Sequence, residues 1–249
     1  MSRRGLKTLK SGVQSIIGGL GDLLLPPSCA VCNALLDDPK QVVCPVCFEG
    51  FERLAQPICA SCGQPCPESE FCPECKSSDP VCSIRSAFAF GGSLAEAVVK
   101  LKFESRCQLA PFFARLIFES SLPGYDLTKI DLVIPVPLHS AKLKERGFNQ
   151  SALIAGQIAG LLRVPFDYLH LARSRPTESQ SKMKTRFERE QNVKGAFSTT
   201  KKHPLAAKRI CLIDDVVTTG STLRACAETL TKAGAESVIA TTLARTIHW

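Results

Sequence analysis

Asp214 and Asp215 stand side by side, directly behind the apolar run Ile210-Cys-Leu-Ile213 and directly ahead of Val216-Val-Thr-Thr-Gly-Ser-Thr222. A carboxylate pair repels phosphate, but it accepts hydrogen bonds from the vicinal hydroxyls of a sugar. Thr218, Thr219, Gly220, Ser221 and Thr222 offer the complement. A glycine lets the backbone approach an anion closely, and the four hydroxyls add neutral donors. A helix starting there presents unpaired N–H groups and a partial positive charge. Diol at one end and phosphate at the other fit a ribose 5-phosphate. A lone Thr-Gly-Ser reads as an ordinary helix cap; the whole order favours the binding reading.

Sulfur supplies the second signal. Of 13 cysteines, all but Cys107, Cys211 and Cys226 lie between Cys29 and Cys82. Four Cys-x-x-Cys pairs stand out: Cys29/Cys32, Cys44/Cys47, Cys59/Cys62 and Cys72/Cys75. Each short spacer lets one turn aim two sulfurs at one ion, and two such turns complete a tetrahedral Zn²⁺ site. Pairing in chain order gives two ribbon-like hairpins, although the spacing also permits a cross-braced arrangement. Cys66 and Cys82 are spare, with Cys66 a competitor to Cys62. A redox Cys-x-x-Cys belongs in a thioredoxin-like βαβ setting, which is absent around these pairs. Closed thiolate sites leave no open coordination position, so their role is structural.

No uninterrupted apolar run reaches the roughly 18 residues of a membrane span. The basic N-terminus has an apolar part broken by Gly18, Gly19, Gly21 and Asp22, without a clear cleavage site. Reduced thiols and a cytoplasmic location are the expectation. The net charge of +8 suits an anionic ligand or nucleic acid without singling either out.

The elements that must hold these residues follow from the pattern. The run 210–213 reads as a buried strand ending at the acid pair, and Leu223 to Leu230 as a helix stopped by Gly234. A second strong strand runs from Ile130 to Pro137. In open α/β sheets ligands sit beyond the carboxyl ends of the strands. The loop carrying Pro137, Leu138 and His139, and the basic segment with Lys142, Lys144 and Arg146, should therefore lie near the loop after Asp215. Further helices are expected over 94–101, 109–118 and 150–162, and a strand at 88–90. Residues 173–195 form a polar, basic stretch. It closes over a polyphosphate, touches a nucleic-acid backbone, or is a solvated insertion. The expected organisation is a helical segment over 1–25, metal-binding ribbons over 26–78, and an α/β domain over 85–249.

Ile213-Asp-Asp-Val-Val-Thr-Thr-Gly-Ser-Thr222 closely resembles the phosphoribosyl-pyrophosphate (PRPP) motif of type I phosphoribosyltransferases. The chain as a whole resembles the ComF family. The agreement covers Leu24-Leu-Pro-Pro-x-Cys29, Leu101-Lys-Phe103, Ile134-Pro-Val-Pro-Leu-His139, Arg146-Gly-Phe-Asn-Gln150, Arg175-x-Thr177-x-x-Gln180, Arg189-x-x-Asn-Val-x-Gly-Ala-Phe197 and Leu243-Ala-Arg245. The resemblance implies a doubly wound, mainly parallel sheet behind a double zinc ribbon. It implies PRPP held with Mg²⁺, with Asp214 and Asp215 on the ribose hydroxyls and Val216, Val217 and 218–222 around the 5-phosphate. Pro137, Leu138, His139, Arg146 and Arg175 would meet the pyrophosphate. It also implies natural competence, with single-stranded DNA and a helicase-like protein as partners.

Two functions remain open at this point: a phosphoribosyl transfer, and a non-catalytic adaptor that binds single-stranded nucleic acid or senses PRPP. Some purine-transferring relatives carry a carboxylate at the place of Thr218, and this chain does not. It also departs from the family at Glu104-Ser105-Arg106, where a glycine is expected near position 105.

Overall fold

Ile210, Cys211, Leu212 and Ile213 are each exposed by 1% or less, so both faces of their strand are covered. Neighbouring side chains on a strand take opposite faces, and two cores result. Ile210 and Leu212 pack with Leu223, Cys226 and Leu230. Cys211 and Ile213 pack with Phe113, Ile117, Ile154 and Ile158. The computed structural model describes residues 26–75, 82–120, 125–175, 186–200 and 205–247. The helical segment expected over 1–25 lies outside them, as do Thr177 and Gln180.

After the first ribbon helix α1 (Pro45–Glu49), the main domain runs β1 (Ser83–Ala89), α2 (Gly92–Phe103), α3 (Leu109–Ser120), β2 (Leu132–Pro135), α4 (Ser140–Arg146) and α5 (Gln150–Leu162). It continues with β3 (Leu171–Arg173), α6 (Arg186–Val193), β4 (Phe197–Thr199), β5 (Arg209–Val217), α7 (Ser221–Lys232) and β6 (Ser237–Arg245). The central sheet has the order β1-β6-β5-β2 and every pairing in it is parallel. Strands β3 and β4 form a separate antiparallel pair.

Four expectations need correction, the first being the strand at 88–90, which runs Ser83–Ala89. Strand β5 does not stop at the acids: Asp214 pairs with Thr242, Val216 with Ala244 and Val217 with Arg245. Strand β2 is shorter than 130–137. Part of the basic stretch 173–195 is helix α6, and its N-terminal end belongs to β3.

The two ribbons repeat one another. The N–H of Cys29 donates to Ala34 O and that of Cys59 to Gln64 O; Asn33 donates to Cys29 O and Gly63 to Cys59 O. Leu36 donates to Pro27 O and Cys66 to Pro57 O, so Cys66 occupies the buried place that Leu36 fills in the first ribbon. Its thiol is a small apolar side chain there. Cys66→Val should keep the zinc content of the wild type and cost no more than about 1–2 kcal/mol. Metal analysis checks this, and loss of one zinc per chain would make Cys66 a ligand.

Candidate functional site

The cysteines assemble in chain order. Cys29, Cys32, Cys44 and Cys47 place their sulfurs within 4.8 Å of one another, as do Cys59, Cys62, Cys72 and Cys75. Tetrahedral zinc with Zn–S near 2.3 Å sets sulfurs about 3.8 Å apart. The Cys32–Cys44 and Cys62–Cys72 separations, both 3.7 Å, match. One sulfur in each quartet is prepared for the anionic form, while burial pushes the Cys47, Cys62 and Cys72 thiols up. Cys29 Sγ accepts the N–H of Cys44 at 3.3 Å and of Val31 at 3.4 Å, and Cys59 Sγ accepts that of Cys72 at 3.4 Å. Burial opposes ionisation of both thiols, but the surrounding backbone N–H groups outweigh it and bring each down to about 6. The donor sets fit two Zn²⁺ ions. Cys66 is in neither; its sulfur lies 3.4 Å from Ser69 Oγ.

The acid pair sits at the C-terminal end of β5, where helix α5 begins. The Ser151 hydroxyl donates to Asp214 Oδ1 at 2.7 Å, and Gln150 Nε2 donates to Asp215 Oδ1 at 3.3 Å. The two acids then part company. Asp215 is 3% exposed and forms an ion pair with Lys102 of α2. Burial raises its pKa, but the Lys102 ammonium outweighs this and holds the carboxyl below the ordinary value. Asp214 lines a cavity of about 350 Å³. Burial, and next the charge of Asp215, push its carboxyl up to about 7.

The other cavity walls come from the two predicted loops. Val216, Val217, Thr218, Gly220 and Thr222 line it on one side, Pro137, Leu138, Lys142 and Arg146 on another. Asp215, Thr219 and Ser221 are not among the lining residues. Gly220 carries φ +82 ahead of α7, a left-handed conformation that favours glycine. The hydroxyls of Thr219 and Ser221 lie 2.7 Å apart beneath the turn.

Cations crowd this space. Lys102 and Arg173 join Lys142 and Arg146 in the walls. Burial, reinforced by Arg173 and Arg146, holds the Lys142 ammonium below its usual value. Unfavourably placed positive charge of this kind is relieved by a polyanion.

Two candidates point elsewhere. His139 caps α4, its Nδ1 accepting the Ala141 N–H at 3.3 Å. Arg175 donates to Asn192 O at 2.9 Å and Lys194 O at 3.0 Å, binding the carbonyls at the end of α6. Ser151, Gln150 and Phe103 are also positioned at the site; Phe103 and Gln150 fall in segments that carry the family resemblance, but neither they nor Ser151 stood among the candidate site residues. Phe103, 69% exposed at the rim, lies 5.0 Å beneath the Arg146 guanidinium. Ser105 has φ +53, which accounts for the glycine expected at that place.

The parallel sheet, the acid pair and the loop opening α7 define a type I phosphoribosyltransferase-like domain joined to a double zinc ribbon. Comparison with known families agrees: residues 20–76 match the double zinc ribbon domain, and 149–248 the phosphoribosyl transferase domain. The chain belongs to the ComF family. It is 31% identical over 230 residues to the DNA utilization protein YhgH of Salmonella typhimurium, covering 90% of this chain and 100% of that one. Competence protein F of Haemophilus influenzae is 28% identical over 225 residues, 87% of this chain and 96% of that one. Competence protein ComFC of Bacillus subtilis is 28% identical over 215 residues, 83% and 85% respectively. Among the described residues, no helix is long and apolar enough to cross a membrane.

Proposed function

We propose that the chain binds PRPP, or a closely related ribose 5-phosphate, in the cavity at the mouth of the parallel sheet. The observation that carries this reading is that Asp214, the 218–222 turn and the cluster Lys102, Lys142, Arg146 and Arg173 share one cavity. Asp214 accepts from the ribose hydroxyls. The loop and the N-terminus of α7 take the 5-phosphate, and the cations take the pyrophosphate. Asp215 acts from behind, fixing Lys102. Mg²⁺ prefers oxygen donors and stays close to substrate phosphates; Asp214 is the carboxylate that would meet it, and the ion would offset charge on the departing pyrophosphate.

Among the described lining residues Asp214 is the sole acid, so a transfer would run by positioning and charge stabilisation with an acceptor that is already nucleophilic. The relatives named for DNA utilization and competence support a place in the use of DNA, and the part we propose within it is the handling of an incoming single strand. A second reading, a nucleic-acid-binding adaptor, draws on the exposed Phe103 ring under Arg146, a surface on which a base could stack.

Calorimetric titration with PRPP and Mg²⁺ tests the first reading. Saturable binding is expected, tightening up to about tenfold from pH 6 to pH 8. The sign follows from Asp214: its carboxyl holds a proton below about 7, and that proton must leave before the group can accept from two hydroxyls. Asp214→Asn should flatten the pH dependence. No PRPP binding, together with salt-sensitive oligonucleotide binding, would favour the adaptor.

A further inference from the structure

We propose that the second zinc ribbon is the device that shapes the phosphate loop, with Arg224 and Arg245 as its positioning residues. The inference rests on the reading of residues 218–222 as a phosphate site.

Arg245 ends β6 and is 2% exposed. Its Nη1 donates to Gln64 Oε1 at 2.6 Å and reaches Thr218 O at 3.5 Å, while its Nη2 donates to Cys62 O. Arg224 lies in the first turn of α7. Its Nη1 donates to Thr219 O at 2.8 Å, and its Nη2 lies 3.9 Å from Cys75 Sγ. Each guanidinium thus joins a carbonyl of the turn to the ligand loop of one metal site. With zinc bound, four thiolates leave that site a net charge of about −2, the complement of the Arg224 cation.

A third link is steric. The Ile84 N–H donates to Ser61 O at 2.9 Å. A Cβ on Gly63 would meet Ile84 O at 2.5 Å, and one on Gly220 would meet Ile84 Cδ1 at 2.8 Å. Ile84 is therefore wedged between the ribbon and the turn.

The consequence for the turn follows from peptide geometry. In a planar trans peptide the C=O and the next N–H point in opposite directions. Holding the carbonyls of Thr218 and Thr219 against the ribbon turns the N–H groups of Thr219 and Gly220 away from it. The first ribbon has a different seat: Phe48 and Phe51 pack on Phe112, and Ser93 Oγ donates to Cys47 O at 2.6 Å.

Hydrogen exchange of the full-length, zinc-loaded chain tests the coupling without any turnover. Amides over 224–227, where the hydrogen-bonded ladder of α7 opens on the Gly220 carbonyl, should exchange at least tenfold faster in Cys75→Ser and in the double variant Arg224→Gln/Arg245→Gln. They should be unchanged in Cys47→Ser, which loses the first site. The arginine variant should keep the wild-type zinc content and bind PRPP at least tenfold more weakly. Wild-type exchange in the arginine variant, or equal acceleration by the two cysteine variants, overturns the proposal. If Cys75→Ser does not fold, the arginine variant decides alone. Failure of the wild-type chain to bind PRPP would remove the functional reading but leave the exchange result to judge the coupling.

Discussion

Asp214→Asn should lose PRPP binding by about 10- to 100-fold, the worth of a charged hydrogen-bonding partner, and leave the fold at least as stable at pH 8. The raised pKa dictates this sign. A half-buried acid whose folded-state pKa is raised to about 7 contributes most to stability below the ordinary carboxylate range, and that contribution is lost as pH rises from about 4 through 7. Asparagine is neutral at every pH and can still accept from Ser151. Asp215→Asn should do the reverse. It strands the Lys102 ammonium, which is only partly exposed, at a cost of about 1–3 kcal/mol after allowing for solvent. Melting curves of the two variants at pH 8 should shift in opposite directions. A shift of both in the same direction would mean that the two acids share one role.

The second large effect concerns the metals. Purified protein should carry two zinc ions per chain, one for each cysteine quartet. Cys59→Ser should carry one and lose the order of the second ribbon. Structural zinc contributes on the order of 10 kcal/mol to the folding of such modules, far more than the few hydrogen bonds of the hairpin can supply. Metal analysis with thermal melts in chelator checks this, and a chain that stays folded without metal refutes it.

Much of this was legible from local spacing. Cys-x-x-Cys is a statement about one turn, and the Asp-Asp-to-Thr222 order about one strand end and one helix start. Both survive in the structure because their geometry is set within a few residues. The partners were not legible. Lys102, Ser151 and Gln150 reach the acids from two different helices, and only the sheet order brings them there. The apolar run 210–213 marks only the part of the strand that is covered on both faces. The strand continues because those partners satisfy the carboxylates while β6 pairs the backbone. His139 and Arg175 were legible as polar groups near the site but not as a cap and a carbonyl clamp, since both bonds depend on where the following chain turns. Cys66 is a core residue by its place in the ribbon repeat, opposite Leu36, and no spacing of cysteines encodes that.

The outer side of β1 has a consequence for how this chain can be divided. Ala89 donates to Glu52 O at 2.8 Å, Ile84 donates to Ser61 O, and Arg53 forms a bridge with Phe88. Both cysteine modules therefore act as a hem along the margin of the sheet. A fragment beginning at Ser83 would bare that margin, and unpaired strand edges recruit copies of themselves. The start of β1, which lies between the two family matches, is thus a poor place to cut, and the small head shields an edge that would otherwise invite pairing.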